Sequence, residues 1–326
     1  MNKHIMLTTL KRTATMLITV ICIVSMLSIT IATKPAFGSS DNISENAIEN
    51  VMVTATPNTL EYKFNMSYIF FGNTYEYINA ITSKKNSIGE ISPSYFDLNS
   101  NGTLKITSKF DKNFVSEMRN RNIKVVPFIS NHWDRNSGRA ALNNRVALVN
   151  EIANAVQDYN LDGVNVDLEN LTEEDRNKYT DFVKLLREKL PSGKIVAVAV
   201  AANPQCINKG WQGSYDYKAL GQYSDYIMIM AYDEHYQGGP AGPVASHSFV
   251  ERSIKYALQN VPKEKVVLGI PFYARMWKQG AAIGGQGLSL TSVETLIKKY
   301  EGKISFDSYY LSPKAVITIK PEDEKP

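Results

Sequence analysis

The sequence predicts an α/β fold, a (β/α)8 barrel of the TIM type in which no eighth strand and no last helix are identifiable. Three observations carry that reading. Short apolar runs recur at 66–71, 123–129, 161–169, 194–200, 225–231 and 265–273, with a weaker one at 87–91. Helically patterned segments fill intervals between them, as at 145–159, 173–189 and 248–259. Strand, then a helix of about 10 to 15 residues, then strand is the pattern of parallel βαβ units. The near-continuous β-branched run from Ile195 to Val200 also reads as a strand covered on both faces. An open doubly wound sheet is the competing arrangement, and no Gly-rich nucleotide loop favours it.

Taken in order, the chain opens on a segment unlike the rest. Lys3, Lys11 and Arg12 precede an apolar run at 16–31, and small residues follow at Ala36 and Gly38. This reads as a secretory signal over residues 1–38, with cleavage near Gly38. The run is short for a membrane span of roughly 20 residues. An uncleaved N-terminal anchor over 13–32 is the alternative, and the implied location is secreted or cell envelope. Residues 39–60, rich in Ser, Asn, Thr and Glu, read as a flexible leader.

Removing the first segment changes the charge balance. It holds four of the 36 basic side chains (Lys3, Lys11, Arg12, Lys34) and no acid, leaving 32 basic against 32 acidic residues. No basic surface argues for nucleic acid, and an uncharged or weakly charged ligand fits better. Only Cys206 remains beyond the segment, so no intrachain disulfide and no cysteine-based metal site is expected. His132, His235 and His247 show no metal-ligand spacing, so neither metal nor cofactor is implied.

Residues 61–326 form the barrel unit. A Thr172 N-cap followed by Glu173, Glu174 and Asp175 is expected to open the helix over 173–189, which Pro191 and Gly193 stop. Beyond 278 the pattern changes to a Gly-rich loop at 280–287, a short helix at 291–300 and β-like runs at 304–310 and 315–319. Residues 278–326 therefore read as an incomplete C-terminal insertion region.

The chemistry lies on the run 161–169. Alternate residues of a strand share a face, so Asn165, Asp167 and Glu169 point together while Val164, Val166 and Leu168 point away. Three polar side chains in succession are costly on a core face without partners. Gly163 permits close backbone approach beside them, and Asp162 precedes it as a structural residue. Glu169 sits where barrel strands present catalytic groups, at a C-terminal end. Along the strand it lies about 6–7 Å from Asp167, so like-charge proximity favours keeping a proton on one carboxyl. Glu169 is then the proton donor and Asp167 the stabiliser of developing positive charge.

Asp162-Gly163-x-Asn165-x-Asp167-x-Glu169 resembles the signature of glycoside hydrolase family 18, the chitinase-like barrels, with Asn165 standing where the family pattern has aspartate. Met230-Ala-Tyr232-Asp233 resembles the family's Met-x-Tyr-Asp. The segment from Gly269 through Tyr273 and Arg275 to Trp277 resembles its strand-seven region. Among members, the chain is most similar in character to bacterial N-acetylglucosaminidases of spore cortex and peptidoglycan. The resemblance implies a retaining, substrate-assisted hydrolysis of β-1,4 bonds in N-acetylglucosamine-containing glycans. In it Glu169 is acid and base, Asp167 orients the acetamido group, and Tyr232 donates to the acetamido oxygen. Asp233, Met230, Asn165, Tyr273, Arg275, Trp277 and Trp133 then line the substrate, with Trp277, Tyr273 and Trp133 as candidates for stacking on sugar faces.

Neutral Asn165 can hydrogen-bond Asp167 but cannot take up its charge. The expected pH profile therefore has a more acidic upper limb than that of an Asn165→Asp variant. The alternative functions are a non-hydrolytic carbohydrate-binding barrel and an inactive truncated homologue. The expected partner is an N-acetylglucosamine-containing polysaccharide, with no nucleic acid and no obligate protein partner.

Overall fold

The computed structural model describes residues 64–84 and 87–320, together with the backbone of a strand at 14–19. Otherwise the export segment, the 13–32 anchor and the leader expected from the sequence lie outside the described residues. Among these residues no helix is long and apolar enough to cross a membrane.

The elements, in chain order, are β1 (Ala14–Thr19), β2 (Met66–Ile69), α1 (Thr74–Thr82), β3 (Glu90–Pro93), β4 (Phe96–Leu98), β5 (Leu104–Ile106) and α2 (Lys112–Asn120). Then come β6 (Lys124–Val125), β7 (Phe128–Ser130), α3 (Arg135–Asn143), α4 (Arg145–Asp158), β8 (Gly163–Asp167), α5 (Arg176–Lys189), β9 (Ile195–Ala201), α6 (Gly210–Gly213), α7 (Tyr217–Tyr223) and β10 (Tyr226–Met230). The chain continues through α8 (His247–Asn260), β11 (Val266–Leu268), β12 (Tyr273–Lys278), β13 (Gln286–Ser289), α9 (Leu290–Lys299), β14 (Lys303–Asp307) and β15 (Ser312–Ile319).

Among the described residues seven parallel staves build the barrel. They follow sequence order: β2, β3 with β4, β6 with β7, β8, β9, β10 and β11. Two of them are broken where a proline has no N–H to give the ladder: β3 ends at Pro93, and Pro127 separates β6 from β7. The ladder nevertheless carries across the second break, because the N–H of Asn165 donates to the carbonyl of Pro127 at 2.9 Å. Among the described residues β2 pairs only with β3 and β11 only with β10, so the wall is open between the first and seventh staves. An apolar groove of about 840 Å3 lies there, between β2 with α1 on one side and β12 with β13 on the other.

Alternation decides which side chains fill the barrel. Along β9, Val196, Val198 and Val200 pack into the helix layer, while Ile195, Ala197 and Ala199 join the interior cluster with Tyr226, Met228 and Met230 of β10. Alanine at 197 and 199 leaves interior volume, and Ala197 stands in register with Asn165. A polar column uses that space. Glu90, Ser92 and Asn165 are fully buried there, and the Tyr68 hydroxyl accepts from the Asn165 amide at 2.8 Å.

Two sequence expectations are corrected by this geometry. The run 265–273 is not one strand: β11 stops at Leu268, and Tyr273 begins β12 of an antiparallel sheet ordered β13-β12-β1-β15-β14. Thr172 does not cap α5, which starts at Arg176 behind Asp175. Asp175 instead turns back, accepting the Thr172 N–H at 3.0 Å and pairing with Arg139 at 3.0 Å, which closes a separate turn ahead of the helix.

Candidate active site

The inner face of β8 carries Asn165 and Asp167, and Val164, Val166 and Leu168 are sealed into the outer layer. Gly163 is needed at the start of this strand because a Cβ there would lie 2.0 Å from the Ile195 carbonyl oxygen. The Asp162 carboxylate accepts the Val125 N–H at 2.8 Å and ties adjacent staves together.

Glu169 lies two residues past the end of β8 at the C-terminal mouth, and its backbone is tightly held. Its N–H donates to Asn131 Oδ1 at 2.8 Å, and its carbonyl accepts from Asn131 Nδ2 at 2.8 Å. The neighbouring Leu168 donates its N–H to the Tyr179 hydroxyl at 3.4 Å and accepts from the Tyr215 hydroxyl at 3.0 Å. Trp211 Nε1 in turn donates to that Tyr215 hydroxyl at 2.9 Å.

Burial pushes the Glu169 carboxyl well above the usual carboxylate range, and the nearby charges of Asp167 and Asp233 push it further the same way. Burial likewise raises Asp167, whose Oδ1 is sealed from solvent without a hydrogen-bond partner. Tyr232 is raised by burial and by Asp167, Glu169 and Asp233, so its phenol keeps the proton it can donate. Asp167, Glu169, Tyr232 and Asp233 thus stand close enough for the charge of one to bear on the others.

Asp233 adopts a left-handed backbone with φ of 56° directly after Tyr232. Arg275 grips its carboxylate with two hydrogen bonds, Nε at 2.8 Å and Nη2 at 2.7 Å, and the Tyr273 hydroxyl donates to it at 2.5 Å. Met230 is buried in the barrel interior beside this group.

The three aromatic candidates separate. Trp133 is 50% exposed, with its ring edge-on to Trp211 at 4.8 Å. Tyr273 is half-buried with its ring 6.2 Å from that of Tyr232. Trp277 does not fit the stacking role: it is 1% exposed, and its Nε1 donates to the Gly239 carbonyl at 3.0 Å, so its faces are used in packing.

The sequence reading did not single out Asn131, Tyr68, Tyr179, Tyr215 or Glu90. Asn131 carried a signal, since it directly follows β7 at the same mouth of the barrel as Glu169. The tyrosines carried none beyond their hydrophobicity. Among the described residues no group of three or more His, Cys, Asp or Glu is arranged to hold a metal ion.

Residues 58–322 match the model of glycosyl hydrolases family 18. The uncharacterized glycosylase YvbX of Bacillus subtilis is 25% identical over 247 residues, which is 72% of this chain and 71% of YvbX. The cortical fragment-lytic enzyme of Bacillus subtilis is 28% identical over 197 residues, 58% of this chain and 46% of that enzyme. The chain thus spans less than half the length of that relative. A chitinase of Chromobacterium violaceum shares the fold with a TM-score of 0.69 at 23% identity, covering 79% of this chain and 87% of the chitinase.

Proposed function

Because the chain belongs to glycosyl hydrolase family 18, we propose that it cleaves β-1,4 bonds beside N-acetylglucosamine by substrate-assisted retention. The observation that carries this reading is the half-buried cluster of Asp167, Glu169, Tyr232 and Asp233 at the barrel mouth, in which Glu169 holds its proton above the usual carboxylate range.

Glu169 gives its proton to the glycosidic oxygen as the bond from that oxygen to the anomeric carbon breaks. The carbonyl oxygen of the sugar's own acetamido group bonds to the anomeric carbon from the opposite face, forming an oxazolinium ion. Asp167 offsets the charge of that ion and orients its nitrogen, while the Tyr232 hydroxyl donates to the acetamido oxygen. Water then attacks the anomeric carbon and gives its proton to Glu169, and the ring opens to restore the acetamide. The configuration is retained without a covalent enzyme intermediate.

Arg275 and Tyr273 hold Asp233, which faces the sugar beside Tyr232. Trp133, edge-on to Trp211, offers an aromatic wall at the mouth. Peptidoglycan or spore-cortex glycan is the favoured substrate over chitin, supported by the cortical fragment-lytic relatives. That substrate fits an exported protein of the cell envelope, as the N-terminal segment suggests.

The test is hydrolysis of N-acetylglucosamine oligomers and purified peptidoglycan by the wild type and Glu169→Gln. Turnover by the wild type that disappears in the variant supports the reading. Activity surviving in the variant removes Glu169 as the acid. Binding without turnover by the wild type favours a carbohydrate-binding barrel.

A further inference from the structure

Two loops at the barrel mouth, one following β7 and one following β8, are joined by five hydrogen bonds that pass through Asn131, Trp133, Arg135, Glu169 and Asn170. Asn131 makes two of them, to the N–H and the carbonyl of Glu169, both at 2.8 Å. Asn170 Nδ2 donates to the Trp133 carbonyl at 2.8 Å. Arg135 donates to the Asn170 carbonyl at 2.6 Å and to its Oδ1 at 2.7 Å.

The backbone on both sides is forced. His132 and Trp133 are consecutive non-glycine residues in the left-handed region, with φ of 46° and 66°, and Asn170 has φ of 56°. Such conformations are costly and persist where surrounding contacts over-determine them. Here the contacts are visible. His132 Nε2 lies 3.1 Å from Asp97 Oδ1, its N–H donates to Ser130 Oγ at 3.1 Å, and Asn131 Nδ2 also donates to the Asp134 carbonyl at 2.9 Å. Asn131 is 2% exposed and has no room to move, since even a Cβ on Gly138 would approach its Nδ2 to 2.8 Å.

We infer that Asn131 and Asn170 are positioning residues with separate tasks: Asn131 fixes the peptide unit that carries the proton donor Glu169, and Asn170 fixes the backbone of the sugar-facing Trp133. The inference rests on the proposed glycosidase reading. A side chain bonded to both the N–H and the carbonyl of one residue resists both rotation and translation of that residue. A donor displaced by even about 1 Å loses on the order of 100-fold in rate. Holding the Trp133 carbonyl sets where the exposed ring stands, which governs ground-state binding of a sugar and leaves the proton transfer alone.

The experiment compares Asn131→Ala, Asn131→Asp and Asn170→Ala with wild type, using a soluble N-acetylglucosamine oligomer at a temperature where each is folded by circular dichroism. Expected for Asn131→Ala is a fall in kcat of about 10- to 100-fold with KM nearly unchanged, and for Asn170→Ala a rise in KM of about 3- to 10-fold with kcat nearly unchanged. Asn131→Asp serves if the alanine variant does not fold. It keeps the acceptor for the Glu169 N–H, loses the donor to the Glu169 carbonyl, and adds a negative charge. Its kcat falls and its upper pH limb moves to higher pH. The groups that share the field of Glu169 are Asp167 on β8, Asp233 and Tyr232 after β10, Tyr179 on α5 and Tyr215 before α7.

A merely structural role lowers the melting temperature of all three variants while kcat, KM and the pH profile of the folded protein stay as in wild type, and that result overturns the inference. So does a loss of kcat in Asn170→Ala equal to that in Asn131→Ala. If the wild type turns over no glycan, the glycosidase reading fails separately. The Asn131 claim is then read from the Glu169 carboxyl resonance, assigned with Glu169→Gln: a titration unchanged in Asn131→Asp overturns it.

Discussion

Glu90 on β3 accepts a hydrogen bond from the hydroxyl of Tyr226 on β10, so the first polar layer of the barrel floor joins residues 136 positions apart. Glu90 is fully buried, its Oε2 has no partner, and burial pushes its carboxyl from 4.5 to about 7. A carboxyl raised on folding binds more protons in the folded state, so its contribution to stability is full below about 4.5 and is lost as pH rises through about 7. Glu90→Gln keeps an acceptor for Tyr226 and removes the ionisation. Its melting temperature is expected to match wild type near pH 4.5. Near pH 8 it should be higher by on the order of 5 °C, corresponding to about 3 kcal/mol. Calorimetry at both pH values checks this, and parallel pH curves for the two proteins contradict it.

Asn165 touches the Tyr68 hydroxyl and shares the column with Asp167. Replacing it with aspartate adds a negative charge that disfavours ionisation of Glu169. In the proposed mechanism Glu169 works only while protonated, so the upper limb of kcat/KM is expected at higher pH in Asn165→Asp than in wild type. Side-by-side pH profiles on one oligomer decide it, and coincident upper limbs refute the effect.

Removing a general acid has a known scale. Glu169→Gln is expected to lower kcat by about 10²- to 10⁴-fold, with binding of the oligomer retained. Titration calorimetry on the variant separates lost chemistry from lost binding.

Trp277 gives a prediction on stability. Its ring is buried and its Nε1 is bonded to the Gly239 carbonyl. Trp277→Ala is expected to destabilise by about 3–5 kcal/mol through the cavity and the unpaired carbonyl. Were the ring a sugar platform, the same change would raise KM and leave the melting temperature alone. Measuring both quantities discriminates.

Much of this is legible in the sequence. The alternation Val164, Asn165, Val166, Asp167 sorted inner from outer side chains correctly, because a strand's period of two holds whatever it packs against. Asp162 accepts the Val125 N–H, and a Cβ at Gly163 would meet the Ile195 carbonyl, contacts that the local sequence pattern does not specify. The run 265–273 misled because its apolar composition is continuous while its backbone changes sheets after Leu268. Thr172 misled because a residue suited to capping was instead engaged by Asp175.

The sequence by itself determined the order of βαβ units, the polar face of β8, and the presence of Glu169 at its mouth, all of which depend on neighbours a few positions apart. Tertiary structure alone decided which aromatic faces stay open, which carboxyls lose their solvent, and what holds Glu169 in place. Those outcomes depend on contacts such as Asn131 with Glu169, 38 residues apart, and Glu90 with Tyr226, 136 apart. No local period encodes such a pairing. It exists only once the staves stand side by side and exclude water from between them.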